Sequence, residues 1–198
     1  MALADSRPPT GVGLFKVSRT LDLAEATDDE LCALARTGDR TAFEFIVRRF
    51  QKRLYYLALR YVKRDADAAD VCQRAFVRAY RGLHKLRDDG SLRTWLYRIV
   101  INLSLNHIRD RRDGSELLPE SLVSSPIGTD RLVASEERQA LTAAIAKLPP
   151  KQRSVLELRV YDELPFREIA ELVGSSENAA KVNYHHAVKR LRSLLESE

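Results

Sequence analysis

The sequence of 198 residues has few of the residues that build disulfide-rich, many-turned or membrane-spanning proteins. Its two cysteines, Cys32 and Cys72, offer neither a disulfide framework nor a CxxC metal pair. Eight glycines and seven prolines favour long helices over a many-turned β protein. No apolar run approaches the ~18 residues of a membrane span, and the N-terminus lacks the apolar stretch of a secretory signal. These absences predict a cytoplasmic protein in a reducing compartment.

The sequence also lacks the residue patterns of an enzyme. We find no nucleophile with a neighbouring base, no pair of carboxylates set for acid–base work and no glycine loop for phosphates. His185 and His186 are adjacent, so they point in different directions on a helix, and no convergent ligands accompany them. The sequence therefore predicts no catalytic residue, no metal, no cofactor and no small-molecule substrate.

Charge is abundant and unevenly placed along the chain. Lysine and arginine number 33 against 28 acidic residues, giving a net charge of +5. Residues 28–112 carry 19 bases and 11 acids, whereas residues 113–135 carry one base and four acids. Residues 136–198 are neutral overall, but their stretch 178–195 contains four bases and no acid. Concentrated basic surface suits a polyanion such as nucleic acid, although a well-solvated surface is the alternative.

Apolar periodicity predicts helices throughout and no strand of consequence. Residues 1–27 are expected to form a flexible tail, and residues 113–134, with their spread prolines and serines, a linker. Pro150 suits the first turn of a helix in the second half. Residues able to cap helix starts in the first half are Thr27 or Asp28, Asp39, Asp65 or Asp67, and Ser91.

Residues 165–194 have the layout of a helix-turn-helix. A short helix from Phe166 to Val173 precedes a turn at Gly174–Ser176, and a longer helix follows. Its expected inward set is Ala180, Tyr184, Ala187, Val188, Leu191 and Leu195. The opposite face would read base edges through Asn178, Lys181, Val182 and His185, flanked by His186, and would bind phosphates through Lys189, Arg190 and Arg192. A helical hairpin that exposes a polar face to water is the alternative.

The fourth predicted helix mixes aromatic, basic and amide groups, as single-strand binding surfaces do. Trp95 shares the apolar face of this helix, so we expect it in the core. Asn102 stands between Ile101 and Leu103, where an amide must be satisfied. It could hold a neighbouring loop or read a base, and the sequence leaves both open.

Three segments, in this order, resemble the extracytoplasmic-function (ECF) group of bacterial RNA polymerase sigma factors, of the sigma-70 family. They are DADAADVCQRAFVRAYRGL, SLRTWLYRIVINLSLNHIRDRR and LPPKQRSVLELRVYDELPFREIAELVGSSENAAKVNYHHAVKRLR. The resemblance covers about residues 28–195 and implies an all-α fold of two small helical domains joined by a flexible linker. It places the region 2 domain at 28–112, the linker at 113–134 and the region 4 domain at 135–198.

The resemblance also implies where the partners bind. Core polymerase would bind Asp70, Gln73, Phe76 and Val77. The minus-10 element would be melted and read by Leu86, Asp88, Ser91, Arg98, Asn102, Asn106, His107 and Arg109, and the minus-35 element by the last helix. The last helix departs from the family's usual Thr-Val-Lys-Ser-Arg run, because Ala179-Ala180-Lys181-Val182-Asn183 stands there.

The function that this resemblance implies is promoter-directed transcription initiation, with core RNA polymerase, promoter DNA and an anti-sigma factor as partners, in a stress or envelope response. Two other interpretations stay open at this point. One is a helix-turn-helix regulator that acts without polymerase. The other is a sigma-like decoy that binds only an anti-sigma factor, although such a chain would be expected to lose the basic helix ends present here.

Overall fold

The computed structural model describes residues 22–86, 90–113 and 136–196, and in these ranges the chain is helical without strands. Most of the predicted tail, the predicted linker from residue 114 onward, and Asp88 lie outside the described residues. The helices are α1 (Asp28–Arg36), α2 (Arg40–Val62), α3 (Asp65–Gly82), α4 (Leu92–Asp113), α5 (Glu136–Ala146), α6 (Pro150–Val160), α7 (Phe166–Val173) and α8 (Glu177–Glu196), with a short 3₁₀ helix at Leu83–Lys85. The predicted all-α fold is confirmed.

Local capping explains where the first helices begin. The Thr27 hydroxyl accepts a hydrogen bond from the Glu30 amide, and the Glu30 carboxylate accepts one from the Thr27 amide at 2.8 Å. These hydrogen bonds lower the pKa of Glu30. The Asp39 carboxylate accepts hydrogen bonds from the amides of Thr41 and Ala42 at the start of α2. The predicted caps at Thr27 and Asp39 are confirmed, and each satisfies amides that the first helical turn leaves without partners. The cap predicted at Asp65 or Asp67 is wrong, because α3 begins after Arg64 without a side-chain cap.

Helices α1 to α4 form the first packed unit, with α2 in contact with the other three. The inward apolar residues of α2 are buried, and the innermost of them are Ile46, Leu54, Leu57 and Ala58. Helix α4 is buried on more than one side, since Tyr97 and Val100 are covered as well as Leu92 and Leu96. Trp95 is half-buried, so its expected place in the core is only partly right.

Helices α5 to α8 form the second unit, which contains the predicted helix-turn-helix. Pro150 lies in the first turn of α6, as predicted. Gly174 ends α7 with φ of 63°, and the Ser176 hydroxyl accepts a hydrogen bond from the Ala179 amide at the start of α8. Phe166 and Tyr184 pack edge to face across the two helices, with ring centroids 5.5 Å apart.

One predicted inward residue of α8 is not buried. Leu195 is 41% exposed, whereas Ala180 and Ala187 are fully covered and Leu191 is half-buried. The prediction that Leu195 faces inward is therefore wrong.

The two units are packed against each other. Val155, Leu158, Leu164 and Ile169 of the second unit belong to the same buried cluster as the apolar residues of α2, α3 and α4. A smaller cluster of Leu148, Leu156 and Ala187 is internal to the second unit. Helix α4 of the first unit packs against α7 of the second. No helix of the described residues is both long enough and apolar enough to cross a membrane.

Gly174 provides a test of the helix-turn-helix geometry. A Cβ atom at Gly174 would meet nothing within 4 Å, so the cost of a side chain there is backbone strain alone. We expect Gly174→Ala to lower the free energy of unfolding by about 1 kcal/mol, because left-handed backbone disfavours a Cβ. Urea unfolding followed by circular dichroism measures this. Gly174→Asn is the matched control, and its free energy of unfolding should fall by less. Equal decreases in the two variants would contradict the strain argument.

Candidate nucleic-acid interface

The outer face of α8 presents the residues predicted to read bases. Asn178, Lys181 and His185 are exposed, and Val182 is 53% exposed. An apolar side chain in water on a basic helix face is well placed to meet a thymine methyl group. The structure therefore brings the predicted base-reading residues together on one accessible face.

Lys181 forms an ion pair within its own helix. Its Nζ lies 2.7 Å from the Glu177 carboxylate, one helical turn earlier, and both side chains are about half exposed. Exposed pairs of this kind contribute about 0–1 kcal/mol and are weakened by salt. The pair can therefore be exchanged for a contact to DNA.

The basic end of α8 lies next to α6. His186, Lys189 and Arg190 line a shallow cavity of about 380 Å³ together with Gln152 and Ser193. Arg192 is exposed beyond it. Among the described residues, no three side chains of histidine, cysteine, aspartate or glutamate are grouped so as to hold a metal ion.

A second basic surface lies where α3 meets α4. A cavity of about 410 Å³ opens there, lined by Arg78, Arg81, Gly82, Lys85, Trp95, Arg98, Ile99 and Asn102. The cavity combines cations, an indole face and an amide, which is the chemistry that single-stranded bases and their phosphates require. Asn102 is exposed on its wall, so the amide predicted near a packed surface is accessible to a ligand.

Three cations of this cavity were not identified from the sequence. Arg78, Arg81 and Lys85 follow one another at spacings of three and four residues, which places them on one side of α3 and the turn after it. That spacing is a signal that could have found them. The Trp95 ring lies over Gly82, where a Cβ atom would come within 3.4 Å of the indole.

The other residues predicted for the minus-10 site are placed apart from this cavity. Leu86 is buried in the core, and the Ser91 hydroxyl accepts a hydrogen bond from the Thr94 amide at the start of α4. His107 lies with its Nε2 3.4 Å from Asp67, and Asn106 and Arg109 are exposed farther along α4. Of the predicted set, Arg98 and Asn102 are therefore the two that line the cavity.

The predicted polymerase-binding residues lie beside an apolar groove between α2 and α3. The groove has a volume of about 440 Å³, and its lining residues are Val47, Gln51, Lys52, Tyr55, Tyr56, Ala69, Cys72, Gln73 and Phe76. Burial raises the pKa of the Cys72 thiol, so the group is neutral and apolar in character. Asp70 pairs with Arg74 at 3.3 Å beside the groove, and Val77 is 47% exposed.

A buried ionic cluster joins the two units, and we refer to Arg60, Tyr97, Glu157 and Asp162 as the Asp162 cluster. The Asp162 side chain is 3% exposed; it pairs with the Arg60 guanidinium and accepts a hydrogen bond from the Tyr97 hydroxyl at 3.0 Å. Arg60 also lies 3.7 Å from Glu157. Burial raises the pKa of both carboxyl groups, and Arg60 opposes that rise.

Two further polar contacts extend this junction along α4 and α7. The Thr94 hydroxyl donates a hydrogen bond to Glu168 at 2.6 Å. Arg98 lies 3.5 Å from Glu171. Thus Arg98 both lines the basic cavity and contacts the first helix of the helix-turn-helix.

Two family models match the chain. The model described as Sigma-70 region 2 matches residues 46–113, and the one described as Sigma-70, region 4 matches residues 138–191. The first therefore includes the basic cavity, and the second the helix-turn-helix.

Curated relatives match over most of their length. The ECF RNA polymerase sigma-E factor of Escherichia coli strain K12 is 35% identical, over 75% of this chain and 84% of the relative. The RNA polymerase sigma-H factor of Pseudomonas aeruginosa is 32% identical, over 76% of this chain and 84% of the relative.

Solved structures share the arrangement of helices. CnrH in complex with the cytosolic domain of CnrY matches with a TM-score of 0.66 and 26% identity, over 86% of this chain and 98% of that one. The sigma factor RpoE in complex with the anti-sigma factor NepR from Bartonella quintana matches with a TM-score of 0.64 over 78% of this chain and 96% of that one; at 21% identity it supports the fold alone.

Proposed function

The chain belongs to the ECF group of the sigma-70 family, and from this premise we propose that it binds core RNA polymerase, directs it to promoter DNA and helps to open the start site. A member of this family is a transcription initiation factor and not an enzyme. The observation that carries the proposal is the presence, in one chain, of two separate basic surfaces suited to duplex and to single-stranded DNA. These are the outer face of α8 and the cavity between α3 and α4.

The proposal assigns one ligand to each surface. The exposed face of α8 enters the major groove at the minus-35 element, and the cavity around Asn102 holds an unpaired base of the minus-10 element. The groove between α2 and α3 docks on core polymerase. The proposed domain limits remain residues 28–112 and 135–198.

An anti-sigma factor is the proposed regulator, and the proposed location is the cytoplasm. CnrH, at 26% identity, is solved in complex with the cytosolic domain of CnrY, which supports a regulator that is itself a protein and binds the chain directly. Pull-down with core polymerase, followed by transcription from a candidate promoter, tests the function. A regulator acting without polymerase would bind duplex and fail the pull-down, and a decoy would fail to bind DNA.

The polymerase-docking surface is tested by the double variant Asp70→Ala/Gln73→Ala. We expect its affinity for core polymerase to fall about tenfold, since interface residues of this kind contribute about 1 kcal/mol or more when removed together. Both side chains are exposed, so helix content by circular dichroism should not change. Arg74→Ala is the control, because it removes the Asp70–Arg74 pair and keeps the carboxylate. Unchanged affinity in the double variant would remove these residues from the interface.

The base-holding cavity is tested by Asn102→Ala. Opening a duplex costs about 1.4 kcal/mol per step, and a base contact contributes about 1–3 kcal/mol. We therefore expect open-complex formation to fall about tenfold while core binding is unchanged, with a pre-opened bubble restoring much of the loss. Leu105→Ala, exposed on α4 outside the cavity, is the control. An equal loss on bubble and duplex would argue against a role in opening.

The minus-35 reader is tested by comparing Lys181→Ala with Arg192→Ala. Lysine can donate to guanine O6 and N7, whereas Arg192 is expected to bind phosphate. Lys181→Ala should flatten the response to minus-35 substitutions in a promoter library. Arg192→Ala should weaken all promoters alike and reduce the salt slope by about one. If Lys181→Ala leaves the relative ranking of the promoters unchanged and lowers only their overall activity, Lys181 contacts phosphate and not a base.

A further inference from the structure

The apolar groove between α2 and α3 is open in the described chain, and we propose that residues 12–17 of the same chain dock in it. Docked there, this segment competes with core polymerase for the groove, so the chain masks part of its own polymerase-binding surface. The inference rests on the proposed function, which assigns the groove to core polymerase.

The groove presents apolar surface that gains from being covered. Tyr55, Tyr56 and Phe76 line it and are half-buried, and Val77 beside it is 47% exposed. Contiguous apolar surface of this kind marks a site of interaction, because apolar side chains that enter it release water. The groove therefore suits an occupant with aromatic and aliphatic side chains.

The described chain begins next to this groove. Near its start, the Ala24 carbonyl accepts a hydrogen bond from Nη2 of Arg49 in α2 at 3.3 Å, and Arg49 also pairs with Asp28 at 2.9 Å. Lys52 and Tyr56 follow Arg49 at spacings of three and seven residues, which places all three on one side of α2. Since Lys52 and Tyr56 line the groove, the side of α2 that holds the start of the described chain is also a wall of the groove.

The segment before residue 22 is long enough to reach the groove. Phe15 is nine residues before Ala24, and an extended chain covers up to ~3.6 Å per residue, or about 32 Å in total. Along α2, Arg49 and Tyr56 are separated by about 10 Å, at ~1.5 Å per residue. The remaining length is enough to cross the width of a helix, which is also about 10 Å.

Residues 12–17 have the composition that an apolar groove requires. Four of the six residues in the run VGLFKV are valine, leucine or phenylalanine. Phe15 is the one aromatic residue of residues 1–21. Aromatic and aliphatic side chains are the groups that fill the pockets of protein interfaces.

The charges of the segment and of the groove also agree. Residues 1–21 carry three basic residues and one acidic residue. The exposed carboxylates of Asp65 and Asp70 border the groove on its α3 side, whereas the cation Lys52 lies on its α2 side. Because opposite charges attract, we expect Lys16 of the docked segment to lie toward α3.

A short covalent connection makes even weak docking effective. A segment linked through a few residues has an effective concentration on the millimolar scale. At about 1 mM, a segment with a dissociation constant of about 0.2 mM occupies the groove roughly five-sixths of the time. The groove is then free in about one molecule in six, so the apparent affinity for polymerase is about sixfold weaker than that of a chain whose groove is always free.

Photo-crosslinking of the full chain tests the contact itself. Phe15→p-benzoylphenylalanine keeps an aromatic ring and bonds to nearby C–H groups under ultraviolet light. We expect crosslinks within one chain to peptides from residues 47–56 or 69–76, identified by mass spectrometry. The same substitution at Leu3, outside the apolar run, is the matched control and should lose most of this product. Absence of a crosslink to the groove, or crosslinks only between two chains, would overturn the proposal.

The effect on polymerase binding is tested with the full chain carrying Leu14→Asp/Phe15→Asp, since two carboxylates oppose burial in an apolar groove. Its affinity for core polymerase, measured by equilibrium titration, should rise by about three- to tenfold. Ala2→Asp/Ala4→Asp adds the same two charges outside the run and should keep the wild-type affinity. An equal rise in both variants would assign the effect to charge and overturn competition at the groove, and so would an unchanged affinity in both.

Failure of the docking and failure of the proposed function are distinguishable, because the crosslink requires no polymerase. If the wild-type chain and every variant fail to bind core polymerase, the proposed function is wrong. If all of them bind it equally and no crosslink reaches the groove, the proposed function stands and the docking of residues 12–17 is wrong.

Discussion

The position of the two units depends on the need to pair one buried carboxylate. Asp162 lies between α6 and α7 with almost no contact to water, and an ionised carboxylate is tolerated there only with a cation and a donor beside it. Arg60 and Tyr97 fill both roles from α2 and α4. The mostly covered Glu157 also faces Arg60, so removal of this one guanidinium would take a cation from two carboxyl groups at once.

Helix α4 supports both the fold and the proposed DNA binding, because each of its sides meets different surroundings. One side, through Leu92 and Leu96, packs in the core. Another presents Tyr97 to the Asp162 cluster, and a third presents Asn102 to the basic cavity. A helix held on two sides keeps a fixed orientation, which is the condition for an exposed amide to meet a base edge in a defined geometry.

Local features were predictable from sequence and long-range pairing was not. Capping by Thr27 and Asp39 depends on residues within three positions of each other, and the face of α8 follows from helical periodicity, so both can be read from spacing. Asp162 stands in a short acidic turn that resembles a solvated one, and its partner Arg60 is 102 residues away. No local pattern indicates that pairing.

At the candidate site, too, contacts between residues far apart in the sequence could not be predicted. Arg98 and Asn102 were predicted because they lie on α4 among amide and aromatic groups. The cations that complete the cavity lie on another helix, α3, and were not predicted. Conversely, Leu86 and Ser91 are close to α4 in sequence, yet one is in the core and the other caps the helix. Closeness along the chain did not predict which side chains share a cavity.

The shared core has a consequence for hybrid proteins. The two family matches end on either side of residues 114–137, which invites exchange of one region between relatives as an independent module. In this chain Arg60, Thr94 and Tyr97 lie in one module, and their partners Asp162 and Glu168 lie in the other. In a hybrid, each of these side chains would face a residue from the other relative in place of its own partner. The two regions could then each fold correctly and still fail to pack against each other. The segment to exchange between relatives is therefore both regions together.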